Sequence, residues 1–78
     1  MYIVYILKCA DGKSYVGYTG NLPQRMEAHR RGNVKFTESR LPFELITHIV
    51  FTDKQKAYDF EQYLKSGSGV AFFKKRLF

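Results

Sequence analysis

The sequence predicts an α+β fold, a three-stranded antiparallel β-sheet flanked by helices in the order β-β-α-β-α-α. Two segments rich in β-branched and aromatic residues, 2–9 and 14–19, flank a short turn and predict a hairpin. Helix-start signals occur near residues 21 and 53, on either side of a third apolar segment. The length of 78 residues fits one domain, 1–78, with six tyrosines and seven phenylalanines to fill its core.

Each element of the first half has a local reason. Residues 2–9 have apolar side chains on both faces, which predicts a strand covered on two sides. Residues 10–13 form the turn, and 14–19 the return strand. Asn21 is a candidate N-cap of the first helix, and Gly32 its stop signal. The following ten residues show no periodic pattern and predict a loop.

The second half predicts one strand and two helices. Phe43 to Phe51 is the third strand. Residues 52–55 resemble a capping box that opens a helix to about Ser66. The glycines at 67–69 predict a break, after which an apolar stripe indicates a last short helix with a basic end.

The charge of the chain favours a polyanionic partner. Thirteen Lys and Arg against seven Asp and Glu give a net charge of +6 and a pI near 9.6. Nucleic acid is the expected polyanion, and a merely basic domain is the alternative. No apolar run is long enough for a membrane span, and the single Cys9 excludes an internal disulfide. The strand-like N-terminus lacks a basic leader, so we expect a cytoplasmic protein.

The register of the hairpin decides whether Tyr5 and Tyr15 share a face. A two-residue Asp11-Gly12 loop would place Tyr5 opposite Tyr18 and leave Tyr15 on the other face. A three-residue loop, 10–12, would place Tyr5 opposite Gly17, with Tyr15 diagonal to it at roughly 7–8 Å. We favour the three-residue loop.

The first helix carries polar residues close to its apolar face. Leu22 and Met26 define the inward stripe, and His29 falls about 20° from Leu22 in projection at about 100° per residue. Arg25 lies about 60° from Leu22. One interpretation is a hydrogen-bonded core histidine with an arginine that reaches solvent. The other is a phosphate-binding arginine beside a histidine that handles a proton.

Glu61 lies at the margin of the apolar stripe of the second long helix. It is spaced to pair with Lys65 at i,i+4, which is common for a helical glutamate. Its alternative role is to hold Mg²⁺ as a single carboxylate with several waters. His48, alone on a strand, fits a structural role. The basic C-terminus either grips phosphates or is a solvated cationic end, and its residues are Lys74, Lys75 and Arg76.

Taken together, these segments resemble the GIY-YIG nuclease superfamily, in particular its small single-domain bacterial members, over almost the whole chain. Val4-Tyr5-Ile6 matches the first motif, with Val for the usual Gly, and Tyr15-Val16-Gly17 matches the second. Residues 18–29 follow the first-helix pattern of the family, and 60–65 the segment that supplies its metal-binding glutamate. Each motif alone is short, and the combination is specific.

The resemblance implies a divalent-metal-dependent endonuclease that hydrolyses DNA phosphodiester bonds. Glu61 would hold Mg²⁺ (or Mn²⁺), and Arg25 would stabilise the charge on the scissile phosphate. Tyr5 or Tyr15 would position or deprotonate the attacking water, and His29 would orient water or assist proton transfer. The nucleic-acid-binding residues are expected to be Arg25, Lys65, Lys74, Lys75 and Arg76.

The substrate implied is duplex, branched or single-stranded DNA, with a link to repair or recombination. A monomer should nick one strand, and a weak homodimer could cut both. The sequence shows no second domain for base recognition, so we expect specificity to be slight or to come from a protein partner. Asn21 and Asn33 are the only asparagines, whereas several family members carry one beyond the glutamate. The alternatives are a binding module of the same fold with little or no hydrolysis, and a protein-interaction domain.

Overall fold

A computed structural model describes residues 1–77 and shows a three-stranded antiparallel sheet with helices on both faces. The strand order is β2-β1-β3, so the first strand is central. The predicted α+β class and the order of its elements are confirmed, with one additional short helix. The elements are β1 (Tyr2–Cys9), β2 (Ser14–Thr19), α1 (Leu22–Arg30), α2 (Lys35–Glu38), β3 (Phe43–Phe51), α3 (Lys54–Lys65) and α4 (Gly67–Arg76).

The hairpin closes with a three-residue loop. The backbone N–H of Cys9 donates to the carbonyl of Lys13 at 2.8 Å, and the N–H of Gly12 donates to the carbonyl of Cys9 at 3.0 Å. Gly12 has a φ of 85°, a left-handed conformation that glycine adopts without strain. Tyr5 is therefore paired with Gly17, and the favoured register is confirmed.

The central strand β1 is buried on both faces, as its continuous apolar sequence predicts. Val4 and Ile6 pack into a cluster with residues of α3 and α4. Tyr5 and Leu7 point to the opposite face and pack against Met26 of α1. The sheet thus separates two small cores, and the tyrosine lies in the core beneath α1.

The segment between α1 and β3 differs from the predicted loop. Residues Lys35–Glu38 form one helical turn, α2, which the absence of periodicity did not indicate. Arg40 holds this turn in place, because its Nη1 donates to the carbonyl of Phe36 at 2.6 Å and its Nε to Asp11 at 3.0 Å. Tertiary contacts rather than local pattern therefore form α2.

The helix caps follow the sequence signals closely. The Asn21 side chain accepts from the N–H of Gln24 at 3.1 Å, which confirms it as the N-cap of α1. α3 begins one residue later than a capping box at Thr52 requires, because Asp53 is its N-cap and accepts from Gln55 and Lys56. Gly32, with a φ of 75°, lies just beyond the end of α1.

The predicted break at Gly67-Ser68-Gly69 was wrong in its position. Ser66 is both the C-cap of α3 and the N-cap of α4, and the two glycines lie inside α4. Gly69 is needed there because an added Cβ would overlap the backbone carbonyl of Tyr63. The glycine therefore permits close packing of α4 against the end of α3. Within residues 1–77, no helix has the length and apolar character needed to cross a membrane.

Candidate active site

The two hairpin tyrosines lie on the same face of the sheet. Their ring centroids are 6.2 Å apart. Tyr5 is fully buried, and its phenol lies over Gly17 on the neighbouring strand. Any side chain at position 17 would occupy the space of this phenol, so the glycine is what lets the ring lie flat across β2.

Helix α1 brings Arg25 and His29 to the Tyr5 hydroxyl. The i,i+4 spacing places both on one face, and the buried Met26 fixes that face against the sheet. The Nε of Arg25 donates to the Tyr5 oxygen at 3.1 Å. The Nε2 of His29 lies 2.9 Å from the same oxygen. Both interpretations of these residues required an inward orientation, and the structure shows it.

Thr37 extends this cluster on its far side. Its side chain is fully buried, and its Oγ1 lies 2.8 Å from the Nδ1 of His29. Thr37 is not among the predicted site residues, because the segment that contains it was predicted to be a loop. A threonine there gives no signal of its own, since its partner His29 is brought to it only by the tertiary fold.

The environment of the cluster keeps its arginine charged and its phenol and imidazole neutral. Burial is the largest effect on Tyr5 and raises its pKa to about 12. The hydrogen bond from Arg25 acts in the opposite direction and lowers this pKa, but it is the smaller effect. Burial, followed by the charge of Arg25, lowers the pKa of His29 to about 4. The hydrogen bond to Tyr5 raises the pKa of Arg25. Among the hydrogen-bonded groups of this cluster, Arg25 is therefore the charged one near pH 7.

Tyr15 is the more accessible of the two tyrosines. It is half-buried, with its ring centroid 5.1 Å from that of His29 and 5.5 Å from that of Phe36. Its hydroxyl interacts with both Tyr5 and Arg25 and contributes to the raised pKa of each. The ring lines a cavity of about 330 Å³ that Lys65 also lines. Tyr15 thus connects the buried cluster with an open groove.

Glu61 lies on α3, which packs on the sheet face opposite Tyr5 and covers both β1 and β2. Tyr18 and Tyr58 line a cavity at one end of this helix, and Tyr15 and Lys65 line one at the other end. Glu61 is on the turn between them.

The Glu61 side chain is only 12% exposed and is already paired. Its Oε2 lies 3.0 Å from the Nζ of Lys65, the i,i+4 pair that its spacing allowed. Its Oε1 accepts from Gln62 at 3.3 Å. Among residues 1–77, the carboxylate forms no hydrogen bond with the tyrosine cluster. The structure thus brings four of the five predicted catalytic residues into direct contact and leaves Glu61 on the flanking helix.

The donor set fits one kind of metal site. Across the described chain, no three His, Cys, Asp or Glu residues converge as metal ligands. A lone carboxylate is sufficient for Mg²⁺, which keeps several waters and takes its other ligands from substrate phosphates. The ammonium of Lys65 already neutralises the Glu61 carboxylate, so a divalent cation would bind there only after Lys65 moves away.

The predicted phosphate-binding cations fall into two groups. Arg25 and Lys65 border the tyrosine cluster and its groove. The other three are exposed on the last turn of α4 and are Lys74, Lys75 and Arg76. The exposed His48 on β3 lies opposite Tyr5 in the sheet register but takes no part in the cluster's hydrogen bonds among the described residues.

The three-stranded sheet, its flanking helices and the two hairpin motifs define a small nuclease-type domain. Residues 1–74 match the family model of the GIY-YIG catalytic domain. The chain belongs to the GIY-YIG family, as its motifs predicted.

Its relatives are small bacterial proteins of the same family. It is 43% identical over 63 residues to a UPF0213 protein of Bacillus pumilus, covering 80% of this chain and 64% of that protein. It is 42% identical over 66 residues to one of Clostridium perfringens, covering 83% and 71%. The matched part thus spans about two thirds of the relatives' own length. A solution NMR structure of a UPF0213 protein from Bacillus halodurans is 34% identical, with a TM-score of 0.62 over 96% of this chain and 84% of that one.

Proposed function

We propose that this chain is a divalent-metal-dependent endonuclease that hydrolyses phosphodiester bonds in DNA. The observation that carries the proposal is the hydrogen-bonded contact of Arg25, Tyr5 and His29 beside Tyr15, with Glu61 on the flanking helix. A fixed cation, a groove and a nearby carboxylate are what in-line attack on a phosphate requires. The net charge of +6 favours a polyanionic substrate.

Arg25 is assigned to the scissile phosphate. Its guanidinium has five N–H donors, and the Nε–H is given to Tyr5, so donors remain for phosphate oxygens. The bond to Tyr5 also fixes the plane of the guanidinium. Charge that develops on the phosphate would therefore meet a cation that is already oriented, which lowers the barrier without reorganisation.

Tyr15 is assigned to the attacking water, and Tyr5 to positioning. The Tyr5 hydroxyl is buried and already contacts two partners, Arg25 and His29. With pKa values of about 12 for Tyr5 and about 4 for His29, proton transfer between them costs on the order of 10 kcal/mol before their mutual attraction. Tyr15 is only half-buried and lines the groove that a water would enter. His29 orients Tyr5 rather than storing its proton.

Glu61 is assigned to Mg²⁺ or Mn²⁺. The bound cation would supply positive charge against the phosphate and the leaving group. Lys65, once released from the carboxylate, would be free to bind the DNA backbone. The exposed cations of α4 would hold phosphates further along the strand, and they are Lys74, Lys75 and Arg76.

Cleavage of labelled single-stranded, duplex and branched DNA in Mg²⁺, Mn²⁺ or EDTA tests the proposal. We expect metal-dependent nicking that falls by about 100-fold or more in Glu61→Gln and in Arg25→Gln. The matched control is Glu27→Gln, which changes an exposed glutamate on α1. Nicking at the wild-type rate in Glu61→Gln would show that the carboxylate does not hold the metal.

A nucleic-acid-binding module with little hydrolysis is the second candidate. The ion pair between Lys65 and Glu61 favours it, because the pair competes with a metal for the carboxylate. Titration of labelled DNA at several salt concentrations separates the two. Binding that weakens with salt, without cleavage in any metal, supports the module. We also propose a preference for branched DNA, a role in repair or recombination, a monomeric or weakly dimeric state, and a protein partner that supplies specificity. The same DNA substrates test the preference, and a sedimentation measurement tests the oligomeric state.

A further inference from the structure

The buried hydroxyl of Thr37 has two partners. Its Oγ1 lies 2.8 Å from the Nδ1 of His29 and donates to the carbonyl of Val34 at 3.3 Å. The residue is fully buried, as is His29. A threonine hydroxyl has one proton to donate and lone pairs to accept with. Because the hydroxyl donates its one proton to the Val34 carbonyl, only its lone pairs are left to face His29.

This assignment fixes the direction of every other bond in the cluster. Thr37 must accept from His29, so the proton of the neutral imidazole is on Nδ1. The bare Nε2 then accepts from the Tyr5 hydroxyl. Because the Tyr5 hydroxyl donates its hydrogen bond to His29, the lone pairs of the Tyr5 oxygen are available to accept from the Nε–H of Arg25. The bonds therefore run in one direction from Arg25 to Val34.

We propose that Thr37 is a positioning residue of this site, which holds His29 in the Nδ1-protonated tautomer and so aims the Tyr5 lone pair at Arg25. Its effect on cleavage rests on the proposed function, whereas the tautomer does not. In the opposite tautomer, Nε2–H would donate to the Tyr5 oxygen, and the phenol proton would turn to the Tyr15 hydroxyl, which also interacts with Tyr5. The Tyr5 oxygen would then accept from both His29 and Arg25, which would loosen the orientation of the guanidinium.

The hairpin loop and α2 hold Thr37 against His29. Arg40 bonds to the carbonyl of Phe36 and to Asp11 of the loop. Its own carbonyl accepts from the N–H of Ala10 at 2.9 Å, and its guanidinium stacks 4.3 Å from the centre of the Phe36 ring. The loop that sets the tyrosine register thus also anchors the turn that sets the histidine tautomer.

Nitrogen NMR of ¹⁵N-histidine-labelled protein near pH 7 reads the tautomer directly. We expect the wild type and Thr37→Ser to show His29 protonated on Nδ1. In Thr37→Val, which keeps the shape and removes the hydroxyl, we expect a shift toward the Nε2-protonated form. The exposed His48 is the internal reference. A wild-type His29 protonated on Nε2, or no change in Thr37→Val, overturns the proposal.

Kinetics give a second readout that a purely structural role would not produce. We expect kcat to fall about 10–100-fold in Thr37→Val, with KM within about threefold and with recovery in Thr37→Ser. Equal losses in both variants contradict the positioning role. If Thr37→Val does not fold, the wild-type tautomer decides alone. If the wild type cuts no DNA in any metal, the proposed function fails while the NMR result still tests this inference.

Discussion

Replacing Gly17 by alanine should damage the fold and the site together. The added Cβ would lie 2.7 Å from Cε1 of Tyr5 and closer still to its Cζ and hydroxyl oxygen. Atoms in a packed core do not tolerate such an approach, so Tyr5 must leave its position. Because Tyr5 is fully buried and bound to Arg25 and His29, its displacement breaks both hydrogen bonds.

The size of the effect follows from these contacts. Overpacking a core costs about 1–3 kcal/mol. The bond to the charged Arg25 contributes about 1.5–3 kcal/mol, and that to His29 about 0.5–1.5 kcal/mol. We expect a total loss of about 3–7.5 kcal/mol, against a stability of roughly 4–12 kcal/mol for a domain of this length. The melting temperature should fall by at least about 12 °C.

Urea and thermal unfolding followed by circular dichroism measure this loss. Gly20→Ala is the matched control, because its Cβ would meet nothing nearer than the Met1 carbonyl oxygen at 3.9 Å, and it should change stability by no more than about 0.5 kcal/mol. In a Tyr5→Leu background, Gly17→Ala should cost less than about 1 kcal/mol, since the shorter side chain leaves the space open. Equal costs in the two backgrounds would refute the reasoning.

Three further predictions concern the packing of α4 against α3, the pH dependence of stability, and the ion pair between Lys65 and Glu61. Gly69→Ala should destabilise by about 2 kcal/mol or more in urea unfolding, because its Cβ meets the preceding helix, whereas Gly67→Ala, in open space, should be neutral or stabilising. The pKa of His29 is held near 4, below its ordinary value of 6.5, so the unfolded chain takes up the proton first as pH falls. The free energy of unfolding should therefore decrease from pH 6.5 toward pH 4 by on the order of 3 kcal/mol. The variant His48→Gln should keep this pH dependence, and His29→Gln should flatten it. Lys65→Met should lower several-fold the Mn²⁺ concentration for half-maximal cleavage, since it removes the cation bound to the carboxylate; an unchanged or higher requirement would contradict this.

The sequence predicted the sheet because each of its signals is local. The turn at residues 10–13 and the β-branched and aromatic residues on either side of it predict a hairpin, and the space that Tyr5 needs favours the register with Gly17 opposite. Asn21 marks the start of α1 because capping involves only the next three residues. By contrast, the single turn of α2 depends on Arg40 and on contacts from the hairpin loop, which no local pattern reveals.

The site was predictable to a similar extent. Periodicity placed Arg25 and His29 on the inward face of their helix, and the register placed Tyr5 and Tyr15 on one face of the sheet. Thr37 escaped because its partner comes from another element through tertiary packing. For Glu61, the i,i+4 spacing predicted the pair with Lys65. The same spacing does not tell whether a metal replaces that lysine.

The junction at Ser66 ties the groove beside Tyr15 to the basic end of the chain. One residue caps both α3 and α4, and α4 packs closely against the end of α3 at Gly69. Val70 and Phe73 of α4 line the groove that Tyr15 and Lys65 also line, and the cations at positions 74–76 follow directly. At 1.5 Å per residue, they lie within about 5 Å of Phe73 along the helix axis. A strand bound in the groove would therefore meet these cations within one helical turn, so inserting a turn between Phe73 and Lys74 should weaken DNA binding without changing the cleavage chemistry.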